Sequence, residues 1–170
     1  MTPKTVILLT ILPFLGMDVW CQTDAKAEFQ NILHLEGGGP GGVGSISYER
    51  KIFPNSRRQL AASIGVSTYN ISDFTNKLNP DVIVPIGLKG LFGNKHKIEL
   101  GLGQTISSVI HVSTSTWRPE RKIDLHANCT VGYRYQEMGK RMVFRVAYTP
   151  MIEFYQRYRH WAMASVGYAF

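Results

Sequence analysis

Eight ionisable residues recur at alternate positions within otherwise small or apolar segments: Glu49, Lys51, Lys89, Glu99, Asp124, His126, Arg134 and Arg145. Period-two spacing sends side chains to one face of a strand, so these eight project together wherever their strands share an interior. Both signs are present, and a buried charge without a partner is costly. The expected arrangement is a salt-bridged plug in which Glu49, Glu99 and Asp124 pair with Arg134, Arg145 and the lysines. A gated ion path through the same network is the sharper alternative.

Other chemistry has thinner support. Acyl hydrolysis or transfer needs a nucleophile, usually Ser, with a His and a carboxylate converging on it. His111 near Ser108, Ser113 and Ser115 is one such neighbourhood, and His160 with Glu153 is a second. Neither lies in a motif such as G-x-S-x-G, so no catalytic residue is assigned and no enzyme activity is expected. His34, His96, His111, His126 and His160 are dispersed without ligand spacing, which gives no reason to expect a metal. GGGPGGVG is followed by no Gly-Lys-Ser/Thr and reads as a turn or a sharply bent wall instead of a phosphate loop. No cofactor is implied.

The elements that must position these residues are strands. In SISYERKIF, Ile46, Tyr48 and Ile52 oppose Ser45, Ser47, Glu49 and Lys51; in KIELGLGQTI, Ile98, Leu100, Leu102 and Ile106 oppose Glu99, Gly101, Gly103 and Thr105. KIDLHANCTVGYRYQ alternates for about fourteen positions, longer than most globular strands and sufficient for a tilted membrane crossing. LAASIGVST, VIVPIGLKGLF, the segment from Met142 to Thr149, and the closing row Ala162, Ala164, Val166, Tyr168 and Phe170 repeat the pattern. One further strand before GGGPGG, around Phe29 to Gly37, brings the number to about eight, an even count as bacterial barrels require. The short connections FPNSRR, GNKH and QEMGKR alternate with longer polar ones, YNISDFTNKLNPD, SSVIHVSTSTWRPE and PMIEFYQRY. Tight turns at one end and longer loops at the other are the asymmetry of an outer-membrane barrel. Strands with lipid on one side cannot leave an open edge, because unpaired backbone groups are expensive in hydrocarbon.

The 170 residues allow one domain plus an export signal. Lys4, then an apolar run from Val6 to Leu15, then polar sequence after Trp20 form a secretory signal peptide. That run of about ten residues is half the roughly 20 needed to span a bilayer as a helix. Cleavage after Cys21 leaves Cys129 alone, without an intramolecular disulfide. The formal net charge of +7 is unchanged by removing Lys4 and Asp18. Export takes the chain away from nucleic acid, and phosphorylated lipid headgroups are the partner left.

SISYERKIF, VPIGLKGLFGNKHKIELGLG, VGYRYQ, VFRVAYTP and WAMASVGYAF resemble a family of small outer-membrane β-barrel proteins of Gram-negative bacteria. The YRYQ strand and the terminal GYAF are its most specific pieces. The resemblance implies an all-β, eight-stranded antiparallel up-and-down transmembrane barrel, integral to the outer membrane. With the signal peptide read above, residues 1–21 are expected as signal and 22–170 as barrel, and a monomer is expected. The resemblance also implies that Tyr168 and Phe170 form the signal read by the barrel-insertion machinery. It brings no catalytic residues. Outer-membrane lipids, and lipopolysaccharide through Arg118, Arg121, Lys122, Arg157 and Arg159, are the expected partners, with Trp117 and Tyr155 available to a protein. Two rivals remain: a soluble exported barrel carrying a small apolar ligand, with its faces exchanged, and a lipid-modifying enzyme of the same fold.

Overall fold

The computed structural model describes residues 29–54, 57–68, 70, 72, 79–112, 119–153 and 158–170. The expected signal peptide lies outside the described residues. Ten strands form one sheet: β1 (Asn31–Gly38), β2 (Gly44–Pro54), β3 (Arg58–Ser67), β4 (Val82–Gly93), β5 (His96–Val112), β6 (Pro119–Gln136), β7 (Met142–Tyr148), β8 (Met151–Glu153), β9 (Tyr158–Arg159) and β10 (Ala162–Ala169). Each of β1 to β7 pairs antiparallel with its sequence neighbour, and β10 joins β7 to β1. β8 continues the line of β7 past Pro150, which lacks an N–H, and β9 leads into β10. Hydrogen bonds from Cys129 N to Pro150 O and from Thr149 N to Trp161 O bridge those two breaks. The result is a closed, eight-stranded antiparallel barrel.

Closure follows from backbone accounting. Asn31 and Phe170 exchange both hydrogen bonds, N to O at 3.2 and 2.8 Å, so the last residue completes the seam with the first strand. Local exceptions have local causes. The β3–β4 ladder skips from Ile64↔Ile86 to Ser67↔Ile83, across Pro85, which cannot donate to it. A bulge between Lys51 and Phe53 in β2 turns Ile52 and Phe53 both outward, because one extra residue interrupts the alternation.

The two faces of the wall are opposite in character. Leu35, Ile64, Leu102, Ile123, Val131 and Val146 point out and are exposed, Leu102 by 70%. Glu49, Lys51, Glu99, Arg134 and Arg145 point in and are buried, Arg134 and Glu49 completely. Such a distribution suits hydrocarbon outside and a packed polar interior. Tyr48, Phe53, Phe92, Tyr133, Tyr168 and Phe170 are exposed on the outer wall toward the end with the short turns, where amphipathic rings match an interface. Tyr69 and Trp117 lie outside the described residues.

Two expectations about the connections change. The segment read as the loop SSVIHVSTSTWRPE is mostly strand, since β5 runs to Val112 and β6 begins at Pro119 with continuous pairing down to Val112↔Pro119. PMIEFYQRY likewise contributes β8 and β9. The β-branched residues Val109, Ile110, Val112 and Ile123 favour continued pairing, and a hairpin needs no lipid to persist. The glycine-rich stretch forms a short 3₁₀ turn, Gly39–Gly41, folded into the barrel mouth. There Pro40 O accepts from Thr105 Oγ1 at 3.1 Å. Gly38 has φ 78°, and a Cβ on it would lie 2.1 Å from Ala162 O, so only glycine lets the chain turn inward here.

The outward row yields a direct test. Leu102 lies midway along β5, opposite Leu88 and Cys129. Leu102→Arg is expected to lower the unfolding free energy in phosphatidylcholine vesicles by about 2–4 kcal/mol. Denaturant titration measures this; a wall facing water would show no loss.

Candidate functional site

Among the described residues, a connected set of ion pairs spans the barrel lumen. Arg134, on β6, grips Glu49, across the lumen on β2, with Nη1 to Oε1 at 2.6 Å and Nη2 to Oε2 at 2.8 Å. The same guanidinium reaches Glu99 Oε2 on β5 from Nη2 at 2.8 Å and from Nε at 3.0 Å. Arg145 on β7 takes the other side of Glu99, Nη2 to Oε1 at 2.6 Å, and reaches Glu36 Oε1 on β1 at 3.0 Å. Lys89 on β4 closes the set on Glu49 Oε2 at 3.2 Å. Glu36 also accepts from Ser45 Oγ and Ser47 Oγ at 3.0 and 2.7 Å. Three carboxylates therefore meet three cations, and six staves are tied together. Fork-to-fork arginine–carboxylate geometry is the strongest form of this contact.

Polar layers continue above and below. Toward the short-turn end, Lys97 Nζ donates to Gln59 Oε1 at 2.8 Å and Gln136 Oε1 at 3.4 Å, and beyond it Ile32, Val143 and Ala169 form a small apolar cluster against Phe29. Toward the other end, Asn128 Nδ2 donates to Thr105 Oγ1 at 3.1 Å beneath the inturned Pro40. A cavity of about 30 Å³ remains among Glu36, Pro40, Ser47, Lys89, Asn128 and Arg145, room for water molecules and not for a solute. An eight-stranded barrel has about the width that side chains can fill, and here they fill it.

No family model matches the chain, and no curated protein matches it in sequence. Solved structures do match in shape. The N-terminal β-barrel domain of Pseudomonas aeruginosa OprF superposes with a TM-score of 0.59 at 12% identity, covering 84% of this chain and 98% of that one. Ail, the attachment invasion locus protein of Yersinia pestis, solved with the heparin analogue sucrose octasulfate, superposes at 0.56 and 12% identity, covering 84% and 97%. Both neighbours are outer-membrane β-barrels. At such identity the likeness shows a shared fold.

Of the expected interior residues, the structure brings Glu49, Lys89, Glu99, Arg134 and Arg145 into contact. Lys51 is buried in the lumen beside them on β2. Asp124 does not join the network. It lies about ten residues up β6 from Arg134, roughly 33 Å of strand, and pairs with Lys122 at 3.1 Å near the rim. His126 sits at the same upper level, its Nε2 3.0 Å from Ser107 Oγ. Glu36, His34, Lys97, Gln59 and Gln136 were not among the expected residues. His34 is buried with its Nε2 3.8 Å from Glu49 Oε2, and neither ring nitrogen has a hydrogen-bond partner among the described residues. A Cβ on Gly167 would lie 2.5 Å from its Nδ1, so glycine there makes room for the ring.

The remaining candidates that are described lie at the rims and on the outer wall. Arg121 spends its guanidinium on Asn79 Oδ1 at 2.6 Å, Pro80 O at 3.1 Å and Ser108 Oγ at 3.2 Å. Arg159 is exposed. Arg118 and Arg157, and with them Ser113, Ser115, Trp117 and Tyr155, lie outside the described residues, as do the side chains of His111 and Glu153. His160 stacks on Tyr148 and hydrogen-bonds its hydroxyl, a contact to an exposed tyrosine instead of a serine. Tyr168 and Phe170 are exposed on the outer wall at the seam. Asp81, buried at the loop end, accepts from Ile110 N and Asn70 Nδ2 at 3.0 and 3.2 Å and so staples the connection before β4 to β5.

Removing one partner of a buried pair costs more than the pair contributes, because an uncompensated charge remains. Arg134→Met, which strips two carboxylates of their main partner, is expected to destabilise the barrel by about 3–5 kcal/mol. Adding Glu49→Gln should restore part of that loss, and urea unfolding of the single and double variants in lipid vesicles measures both.

Proposed function

We propose that this chain is an integral outer-membrane barrel with a structural or surface-interaction role and no catalytic one. The observation that carries the reading is the occupied lumen: six interior side chains neutralise one another across it, and the cavity beside them has room for water and not for a solute. A wall that meets lipid and a centre that is filled leave the rims and loops to meet anything else. The shape shared with an attachment protein and with the barrel domain of OprF supports the same view. In this reading residues 1–21 are removed on export, the seam strand with Tyr168 and Phe170 is read by the insertion machinery, and lipopolysaccharide is bound through Arg118, Arg121, Lys122, Arg157 and Arg159.

The fold and the plug are tested together. The purified protein should migrate differently on gels before and after boiling, and should stay with membranes through a carbonate wash. A soluble carrier of apolar ligands would appear in the wash and show no heat-dependent shift. In planar bilayers the folded protein should pass only background current at neutral pH; steady unitary steps would replace the plug with a pore. Lipid A mass spectra unchanged by expression of the protein would set aside the lipid-modifying alternative.

A further inference from the structure

The two rims of the barrel carry different charge. At the short-turn end Arg50, Arg57, Arg58, Lys95, Lys140 and Arg141 are exposed, against one side-chain carboxylate, Glu137, among the described residues. At the other rim the described, exposed or half-exposed charges nearly cancel, with Arg121, Lys122 and Arg159 beside Glu120 and Asp124. Lys140 and Lys95 both bond Glu137, at 2.8 and 3.2 Å, and these hydrogen bonds pull its carboxyl down to about 2. Four arginines are left with no carboxylate at ion-pair distance among the described residues.

Their placement is what matters. Arg50 continues the outward row of β2 one step past Tyr48, and Arg58 opens the outward row of β3 ahead of Leu60. Both guanidinium groups therefore sit on the wall that meets lipid, at its edge. Arg141 lies over the rings of Phe29 and Tyr168, at 5.5 and 5.6 Å, and hydrogen-bonds Tyr168 Oη. Backbone bonds from Gly93 N to Arg57 O, Gln136 N to Lys95 O and Ala169 N to Arg141 O link the three turns to one another and to the last strand along this rim. Arginines spread along an aromatic girdle do not converge on a pocket for a free ion. They match a layer of phosphates arriving at one height, whose acyl chains pack against the rings below.

We propose that this rim is a docking surface for anionic glycerophospholipids of the periplasmic leaflet, with Arg50, Arg58 and Arg141 holding the phosphates. The assignment rests on the membrane-barrel reading and on short turns facing the periplasm. It adds a leaflet and a headgroup class to that reading. Lipopolysaccharide belongs to the opposite leaflet and is not the occupant.

The test uses the folded protein, immobilised and equilibrated with mixed detergent micelles holding equal phosphatidylglycerol and phosphatidylcholine of the same chains. Retained lipid is then quantified by mass spectrometry. Wild type should retain phosphatidylglycerol preferentially at 0.1 M salt and lose the preference near 1 M, where the Debye length falls to about 3 Å. Arg50→Gln, Arg58→Gln and Arg141→Gln combined should reduce the preference at least about tenfold, at roughly fivefold per arginine for independent sites. Arg121→Gln, Lys122→Gln and Arg159→Gln combined should leave it intact. Equal retention of the two lipids by wild type, loss of the preference only in the second variant, or displacement of the lipid by millimolar inorganic phosphate would each overturn the proposal. Heat-dependent gel mobility verifies folding, and the salt series needs no variant. Absence of that mobility shift in wild type sinks the membrane reading itself, whereas a shift without lipid preference sinks only this assignment.

Discussion

Arg134 lies near the centre of the lumen with both edges of its guanidinium occupied, one by Glu49 from the far wall and one by Glu99 from the neighbouring strand. The rest of the central ion-pair cluster depends on that arrangement. Glu99 is free to take Arg145 because Arg134 uses only one of its oxygens, and Arg145 in turn reaches Glu36 on the first strand. Replacing such a cluster with apolar residues need not weaken a protein, and breaking it does. Its value is in specification. Slipping any of these strands by one residue would turn a charged row into hydrocarbon and a greasy row into the cluster, so register and charge pairing enforce each other.

Space imposes the complementary condition. Two arginines, a lysine and three glutamates fit a narrow barrel only if their inward neighbours are small. Gly132 faces Ala147 so closely that a Cβ on it would lie 2.5 Å from the alanine's own, and a Cβ on Gly103 would meet Ile86 O at 2.6 Å. Ala61, Ser63, Gly65, Gly87 and Gly101 continue this thin lining. Strand glycines normally weaken a sheet; here they trade side-chain contact on the wall for room at the axis. The inturned Gly39–Gly41 segment uses the same principle at the mouth, where Gly39 and Gly41 are buried.

Most of this was legible because membrane strands expose their period openly: with lipid on one side and a polar centre on the other, every second residue reports its face. The inward placement of Glu49, Lys89, Glu99, Arg134 and Arg145 could be read from spacing alone. Partner choice could not, because it depends on shear around the barrel, which sets which level of one strand faces which level of another. Asp124 is the clearest instance, correctly on an inward row yet far above the carboxylates it was grouped with. Glu36 and His34 carried the right spacing, but the glycines that follow cut their strand short and hid its alternation. Lys97 looked like a turn residue since it lies next to GNKH, and only the start of β5 at His96 makes it an inward one. Asp81 had no sequence signal at all, being a lone carboxylate whose partners are a backbone N–H and an amide from another connection.

A closed lumen also constrains where this chain can meet the rest of the cell. With the axis filled by mutually neutralised side chains and the wall committed to acyl chains, selectivity for any further partner has to reside in the two rings of residues at the membrane edges. Those rings differ in construction. On the loop side, hairpins such as β5–β6 stand clear of the wall, with charges paired to close neighbours, as Lys122 is to Asp124. On the turn side, connections are tight, the backbone is locked by bonds between adjacent turns, and the Arg141 guanidinium, with no carboxylate at ion-pair distance among the described residues, sits over aromatic rings. The asymmetry of the barrel is therefore one of charge placement and backbone bonding as well as of loop length.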